Sequence, residues 1–141
     1  MRYLLDTCLI SEVVSKKPNP KVVAWLDGRD EDSLFLSVLT LGELQKGVSK
    51  LPDDDGRKES LQRWVSFDLV GRFEGRILDL NLGAAMIWGQ LLGDNEQRGG
   101  TLPVMDSLIA ATAALHGMTV VTRNVKDMGR CTTNILNPWE N

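Results

Sequence analysis

One histidine, two cysteines and a net charge of only −3 in 141 residues leave several common kinds of chemistry without their parts. With His116 alone, a mechanism that needs two imidazoles, or a zinc site rich in histidine, cannot be assembled. Cys8 and Cys131 lie far apart and form no C-x-x-C, which argues against a zinc ribbon or a thioredoxin-type dithiol. Two free thiols in a reducing cytoplasm are the expectation. No apolar stretch approaches the roughly 18 residues of a membrane span, and only Tyr3, Leu4 and Leu5 precede the first acid, so neither a membrane segment nor a signal peptide is expected. Lys and Arg number 16 against 19 Asp and Glu, a balance that speaks against nonspecific attraction to polyanions.

What is present suits one folded unit spanning residues 1–141. Hydrophobic residues make up 43% and charged ones 25%, and no biased tract, repeat or linker interrupts them, which excludes disorder and fibrous architectures. A chain of this length buries roughly two-thirds of its unfolded surface around one core. The apolar spacing predicts a strand from Arg2 to Leu5 and a helix from Asp6 and Thr7 to Val14. Asn19 then reads as an N-cap, with Pro20 opening a helix through Leu26. A strand follows over Leu34 to Leu39, then a helix from Thr40 through Lys50 and another from about Asp54 to Leu69. A strand over Arg76 to Leu80 leads to a helix from Leu82 to Leu92 that ends at Gly93. The helix from Pro103 runs to His116, with Gly117 as the residue that closes it, and strands follow over Met118 to Thr122 and Asn134 to Leu136. Strands separated by helices imply an α/β three-layer α/β/α sandwich around a mostly parallel sheet.

In such sheets ligands bind beyond the carboxyl ends of the strands, and four acids fall there. Asp6 follows the first strand, Glu43 the second, Asp106 lies in the first turn of the Pro103 helix, and Asp127 follows the Met118 to Thr122 strand. Each has a plainer explanation. Thr40-Leu41-Gly42-Glu43 matches a capping box with Thr40 as N-cap; Asp106 suits a helix N-terminus; Asp127 suits a turn; Asp6 could cap its helix. Together they ask for more, because unit charges about 4 Å apart repel by roughly 4 kcal/mol at an effective dielectric of 20. A divalent cation relieves that repulsion, and carboxylate oxygens select Mg²⁺ or Mn²⁺ over zinc or copper. Hydrolysis of a phosphate ester is the chemistry such a centre performs. Lys46 and Lys50 share a helix face with Glu43, and Arg123, Lys126 and Arg130 surround Asp127, where they could hold a nucleic-acid backbone.

Four segments now stand in order: Leu4-Leu5-Asp6-Thr7-Cys8, Ser37-x-x-Thr40-x-Gly42-Glu43-Leu44, Asp106-x-x-Ile109-Ala110-Ala111-Thr112-Ala113, and Thr122-Arg123-Asn124-x-x-Asp127. In that order and spacing, and down to the Asn137-Pro138-Trp139 end, the chain resembles a PIN domain, specifically a VapC-type toxin of the FitB-like branch. The resemblance implies a Mg²⁺- or Mn²⁺-dependent ribonuclease with Asp6, Glu43 and Asp106 in its acidic pocket. A fourth position near the last strand falls to Asp127 or Asn124, with Thr7 and Thr122 in support. It further implies the toxin of a type II toxin-antitoxin pair, usually a cytoplasmic homodimer. The partner in that family is a VapB-type antitoxin whose C-terminal segment enters a groove of the toxin, and operator DNA is met only through that antitoxin. Cys8 stands where many relatives have Asn. Two other readings remain, a non-catalytic module whose acidic cleft takes a basic peptide, and a Mg²⁺-dependent phosphatase, although the latter wants paired acids after the first strand.

Charge distribution sharpens this picture. Asp27 to Asp32 carries a net −3 and Asp53 to Asp55 another −3, so the remainder is at +3, and at +7 without the four pocket acids. The negative charge is local rather than general.

Overall fold

Tyr3, Leu4 and Leu5 have almost no contact with solvent, so β1 (Tyr3–Leu5) is covered on both faces and lies in the middle of the sheet. The computed structural model describes residues 1–140. After β1 come α1 (Thr7–Val13), α2 (Pro20–Asp27), a short 3₁₀ turn, β2 (Leu34–Ser37) and α3 (Val38–Ser49). Next are α4 (Lys58–Arg63), a π-helical stretch at Trp64–Leu69, α5 (Val70–Arg72), β3 (Ile77–Leu78) and α6 (Leu82–Gln97). The chain closes with α7 (Val104–His116), β4 (Thr119–Val121), α8 (Val125–Met128), β5 (Ile135–Leu136) and a 3₁₀ turn at Pro138–Glu140.

The five strands are all parallel in the order β3-β2-β1-β4-β5. Side chains alternate across the sheet with period two, and the two cores follow from that. Tyr3, Leu5, Leu34, Leu36 and Val121 face the layer of α1, α2, α3 and the Trp64–Arg72 stretch. Leu4 and Val120 face α7 and α8, with Phe35 packed alongside. Strands buried on both sides read as unbroken apolar runs, which is how the sequence presents them.

Several boundaries differ from expectation for identifiable reasons. The second strand stops at Ser37 because Ser37 is itself the N-cap of α3, accepting from Leu39 N at 3.1 Å. Thr40 is therefore buried inside the first turn of α3 and caps nothing, and Glu43 is free of any capping box. The helix expected from Asp54 starts at Lys58, and its continuation widens into the π stretch. The helix from Leu82 runs past Gly93 to Gln97, since the cost of an exposed helical glycine, about 1 kcal/mol, is outweighed by packing of α6 along α7. Asn19 caps α2 as read, and Gly117 closes α7 at φ 65°.

This topology fixes where a ligand site can be. The chain leaves β1 toward β2 and β3 and later returns to the opposite side of β1 for β4, so the crevice opens at the carboxyl ends of β1 and β4.

Candidate active site

β1 and β4 are paired in register with Leu5 opposite Val121, so the next residues, Asp6 and Thr122, meet at the crevice. Asp6 N donates to Val121 O at 3.0 Å, which continues the sheet by one bond and sets the direction in which the Asp6 side chain leaves. That side chain does two jobs. One oxygen caps α1 by accepting from Thr7 N at 2.8 Å, and the other accepts from the buried Thr122 hydroxyl at 2.7 Å. Asp6 thus has the capping role that the sequence allowed it, while its second oxygen is held in the crevice.

Thr7 and α3 place Glu43. The Thr7 hydroxyl donates to Glu43 Oε1 at 2.5 Å and lies 3.3 Å from the hydroxyl of the buried Thr40. Glu43 sits six residues beyond the Ser37 cap, on the side of α3 that faces α1. The misread capping box hid this link, because nothing local in Thr40-x-x-Glu43 announces a partner 36 residues upstream.

Asp106 comes from the first turn of α7 and is half-buried. Its carboxyl is pushed up to about 6, first by loss of water and then by the negative charges of Asp6, Asp127 and Glu43. The four acids therefore share one electrostatic environment. None of them enters an ion pair among the described residues, so the repulsion has no protein counter-charge. Asn124 Nδ2 donates to Asp106 Oδ2 at 3.2 Å, and Asn124 N donates to the Thr122 hydroxyl at 3.0 Å. Asp127, on α8, reaches Asp106 through its charge alone; the direct contact belongs to Asn124.

Among the described residues no three His, Cys, Asp or Glu side chains close on one point tightly enough to chelate an ion by themselves. That geometry disfavours a zinc or calcium cage built wholly of protein. It suits a divalent cation that keeps several waters and takes one or two carboxylates directly. The donor set supplies the fit: carboxylates from four separate segments, none of them in an ion pair among the described residues.

Cys8 packs into the same corner. Its sulfur lies 3.9 Å from Asp6 Oδ2 and 3.5 Å from the Thr122 hydroxyl, and it accepts from Arg123 N at 3.4 Å. Burial pushes the thiol up, so it stays protonated near neutrality. Cys8 and Cys131 are both free, as their spacing implied. The proposed cationic positions are all exposed: Lys46 and Lys50 at the end of α3, Arg123 in the β4 to α8 connection and Lys126 on α8.

Sequence reading missed the contact of Glu12 with Trp139, whose indole N–H donates to Glu12 Oε1 at 2.9 Å, with Arg123 lying over the same ring at 5.8 Å from its centroid. The only available signals were the helical spacing of Cys8 and Glu12 and an aromatic residue at the end of the chain. His116, by contrast, ends α7 and takes no part in the crevice.

The model of the PIN domain family matches residues 3–128. Among curated relatives, the chain is 32% identical to VapC ribonuclease Y4jK of Sinorhizobium fredii over 137 residues, covering 97% of each chain. It is 35% identical to Toxin FitB of Neisseria gonorrhoeae over 136 residues, 96% of this chain and 97% of that one. Among solved structures, the FitAB complex bound to an IR36 DNA fragment contains a chain with a TM-score of 0.88 and 35% identity, covering 97% of this chain and 95% of that chain.

Proposed function

The chain belongs to the PIN domain family, with VapC and FitB relatives along nearly its whole length, and from that premise we propose that it is a metal-dependent endoribonuclease acting as the toxin of a toxin-antitoxin pair. The whole of residues 1–141 is read as one PIN domain. The observation that carries the reading is the convergence of four acids from distant segments on one crevice with no ion pair among the described residues, Asp6 and Glu43 held there by the hydroxyls of Thr122 and Thr7 and Asp106 raised by the charges of the other three. A purely structural set of acids would be paired with cations or dispersed to solvent.

Asp6 and Asp106 would hold Mg²⁺ or Mn²⁺ directly, with Glu43 and Asp127 taking its waters or a second ion. Bound there, such a cation supplies Lewis-acid stabilisation of the phosphoryl oxygens of RNA during hydrolysis. The chain's own residues prepare that event. Thr122 and Thr7 fix the carboxylates of Asp6 and Glu43, Asn124 orients Asp106, and Lys46, Lys50, Arg123 and Lys126 receive the flanking backbone. The names of the relatives support this reading over an acidic-cleft binding module or a phosphatase.

The partner is proposed to be an antitoxin, through which alone operator DNA is met, in keeping with the FitAB complex on DNA. A groove of about 480 Å³ between α1, α2 and the Trp64–Arg72 stretch, with Ile10, Leu26 and Trp64 among its apolar lining and Asp27, Asp68 and Arg72 among its charged lining, offers a place for its C-terminal segment. A homodimer working in the cytoplasm completes the proposal; no described helix is long and apolar enough to cross a membrane.

The test is cleavage of single-stranded RNA by the purified chain with Mn²⁺ or Mg²⁺. EDTA and Asp6→Asn should each abolish it, and full activity in Asp6→Asn would overturn the assignment.

A further inference from the structure

A cleft with four acids repels the polyanion it is proposed to cut, so the placement of nearby cations decides whether RNA can approach. Three of the four cations assigned to RNA, Lys46, Lys50 and Lys126, are exposed and enter no ion pair among the described residues. Arg123 differs. Its backbone is pinned at the pocket: Thr122 before it bonds Asp6, Asn124 after it bonds Asp106, and its own N–H donates to Cys8 Sγ. Its guanidinium then lies over the Trp139 ring, 5.8 Å from the centroid, and enters no ion pair among the described residues.

Trp139 is itself held on three sides. Its backbone N–H donates to Asn137 Oδ1 at 3.0 Å, and the ring packs against the core of the α1 and α2 layer. The indole N–H donates to Glu12 Oε1 at 2.9 Å, and the other Glu12 oxygen accepts from Asn19 N at 3.2 Å, which ties the ring to α1 and to the start of α2. The indole bond holds the Glu12 carboxyl below its ordinary range, so it is ionised and a firm acceptor. A guanidinium drawn over a ring by cation–π attraction spends none of its N–H donors on an acceptor there, which leaves them for a phosphate.

We propose that Trp139 is a positioning residue for the RNA substrate: anchored by Glu12, it holds the Arg123 guanidinium beside the acid pocket to take a backbone phosphate next to the cleaved bond. This rests on the ribonuclease reading and adds a residue to it that touches neither metal nor the reacting atoms.

Steady-state cleavage of a labelled single-stranded RNA, measured across a salt series, tests it. Arg123→Gln should raise KM roughly tenfold with kcat nearly unchanged, the value of one charge-assisted contact. It should also flatten the slope of log KM against log salt by about 0.7, the contribution of one phosphate contact on a single strand. Trp139→Leu should show part of both changes and add nothing to Arg123→Gln in the double variant, while Trp139→Phe, which keeps a ring under the guanidinium but loses the indole bond to Glu12, should fall between Trp139→Leu and the native values. Glu12→Ala gives a further sign test that does not disturb the ring packing. Removing an acid near a polyanion would by charge alone lower KM, whereas loss of the anchor should raise it. Native salt slopes in both Trp139→Leu and Arg123→Gln, or a lowered KM in Glu12→Ala, would overturn the proposal while leaving the ribonuclease reading in place. A native chain that neither binds nor cuts RNA would remove both.

Discussion

The Thr122 hydroxyl donates to Asp6 Oδ2 at 2.7 Å, joining two residues 116 positions apart at the ends of adjacent parallel strands. Both groups are buried, so the bond sets the direction of a carboxylate that has few other partners. Thr122→Val keeps the shape and removes the donor. It should cost about 1–3 kcal/mol of stability in urea unfolding, the usual penalty for leaving a buried polar group without its partner, and lower kcat/KM for RNA. An unchanged kcat/KM would show that the bond serves the fold alone.

Asp106 should make the stability of the metal-free chain depend on pH in a specific sense. Its carboxyl titrates near 6 in the folded chain against an ordinary 3.8, so between those values the folded state holds a proton that the unfolded state has lost. Stability from this group is therefore lost as pH rises through that window and regained on acidification. Asp106→Asn removes the effect. Thermal melts of the two proteins should agree near pH 4 and diverge toward pH 7, with the variant the more stable, although it should be unable to cleave RNA.

Asn124 offers a change of opposite kind. Its amide donates to Asp106 Oδ2 at 3.2 Å, and Asn124→Asp would replace that donor with a like charge. The pH at which half the protein binds Mn²⁺ should rise by about one unit or more, because Asp106 must lose its proton to serve as a ligand. Calorimetric titration at several pH values reads this directly, and an unmoved midpoint would place Asn124 outside the site.

Gly117 closes α7 at φ 65°, where a side chain is strained. Gly117→Ala should cost about 1–2 kcal/mol by chemical unfolding and leave RNA cleavage intact, since Gly117 lies at the opposite end of α7 from Asp106. A loss of activity at full stability would contradict the assignment of that corner as purely structural.

Much of this arrangement was legible before any coordinates, and the rest was hidden for physical reasons. The apolar runs at Tyr3 to Leu5, Leu34 to Leu36 and Thr119 to Val121 mark strands buried on both faces, and Asn19 with Pro20 marks a helix start, because those signals are local. Glu43 looked like half of a capping box because Thr40 has the right spacing. Only the register of β2 shows that Ser37 takes the capping role and frees Glu43 to meet Thr7. The π stretch at Trp64–Leu69 leaves no trace in a pattern of apolar residues, and α6 passes Gly93 because contacts with α7 override propensity. The positions of Asp6 and Asp106 at strand and helix ends followed from chain order. The bonds from Thr122 to Asp6 and from Asn124 to Asp106 required two distant segments to be folded together.

The strand order has a consequence for synthesis. During translation Asp6 and Glu43 leave the ribosome early, but the residues that orient Asp6 and Asp106 lie on or after β4, which pairs with β1 only when nearly the whole chain is out. A nascent or truncated chain thus carries acids without the geometry that makes them useful. The pocket is completed in one step, when β4 closes against β1, rather than built up along the chain.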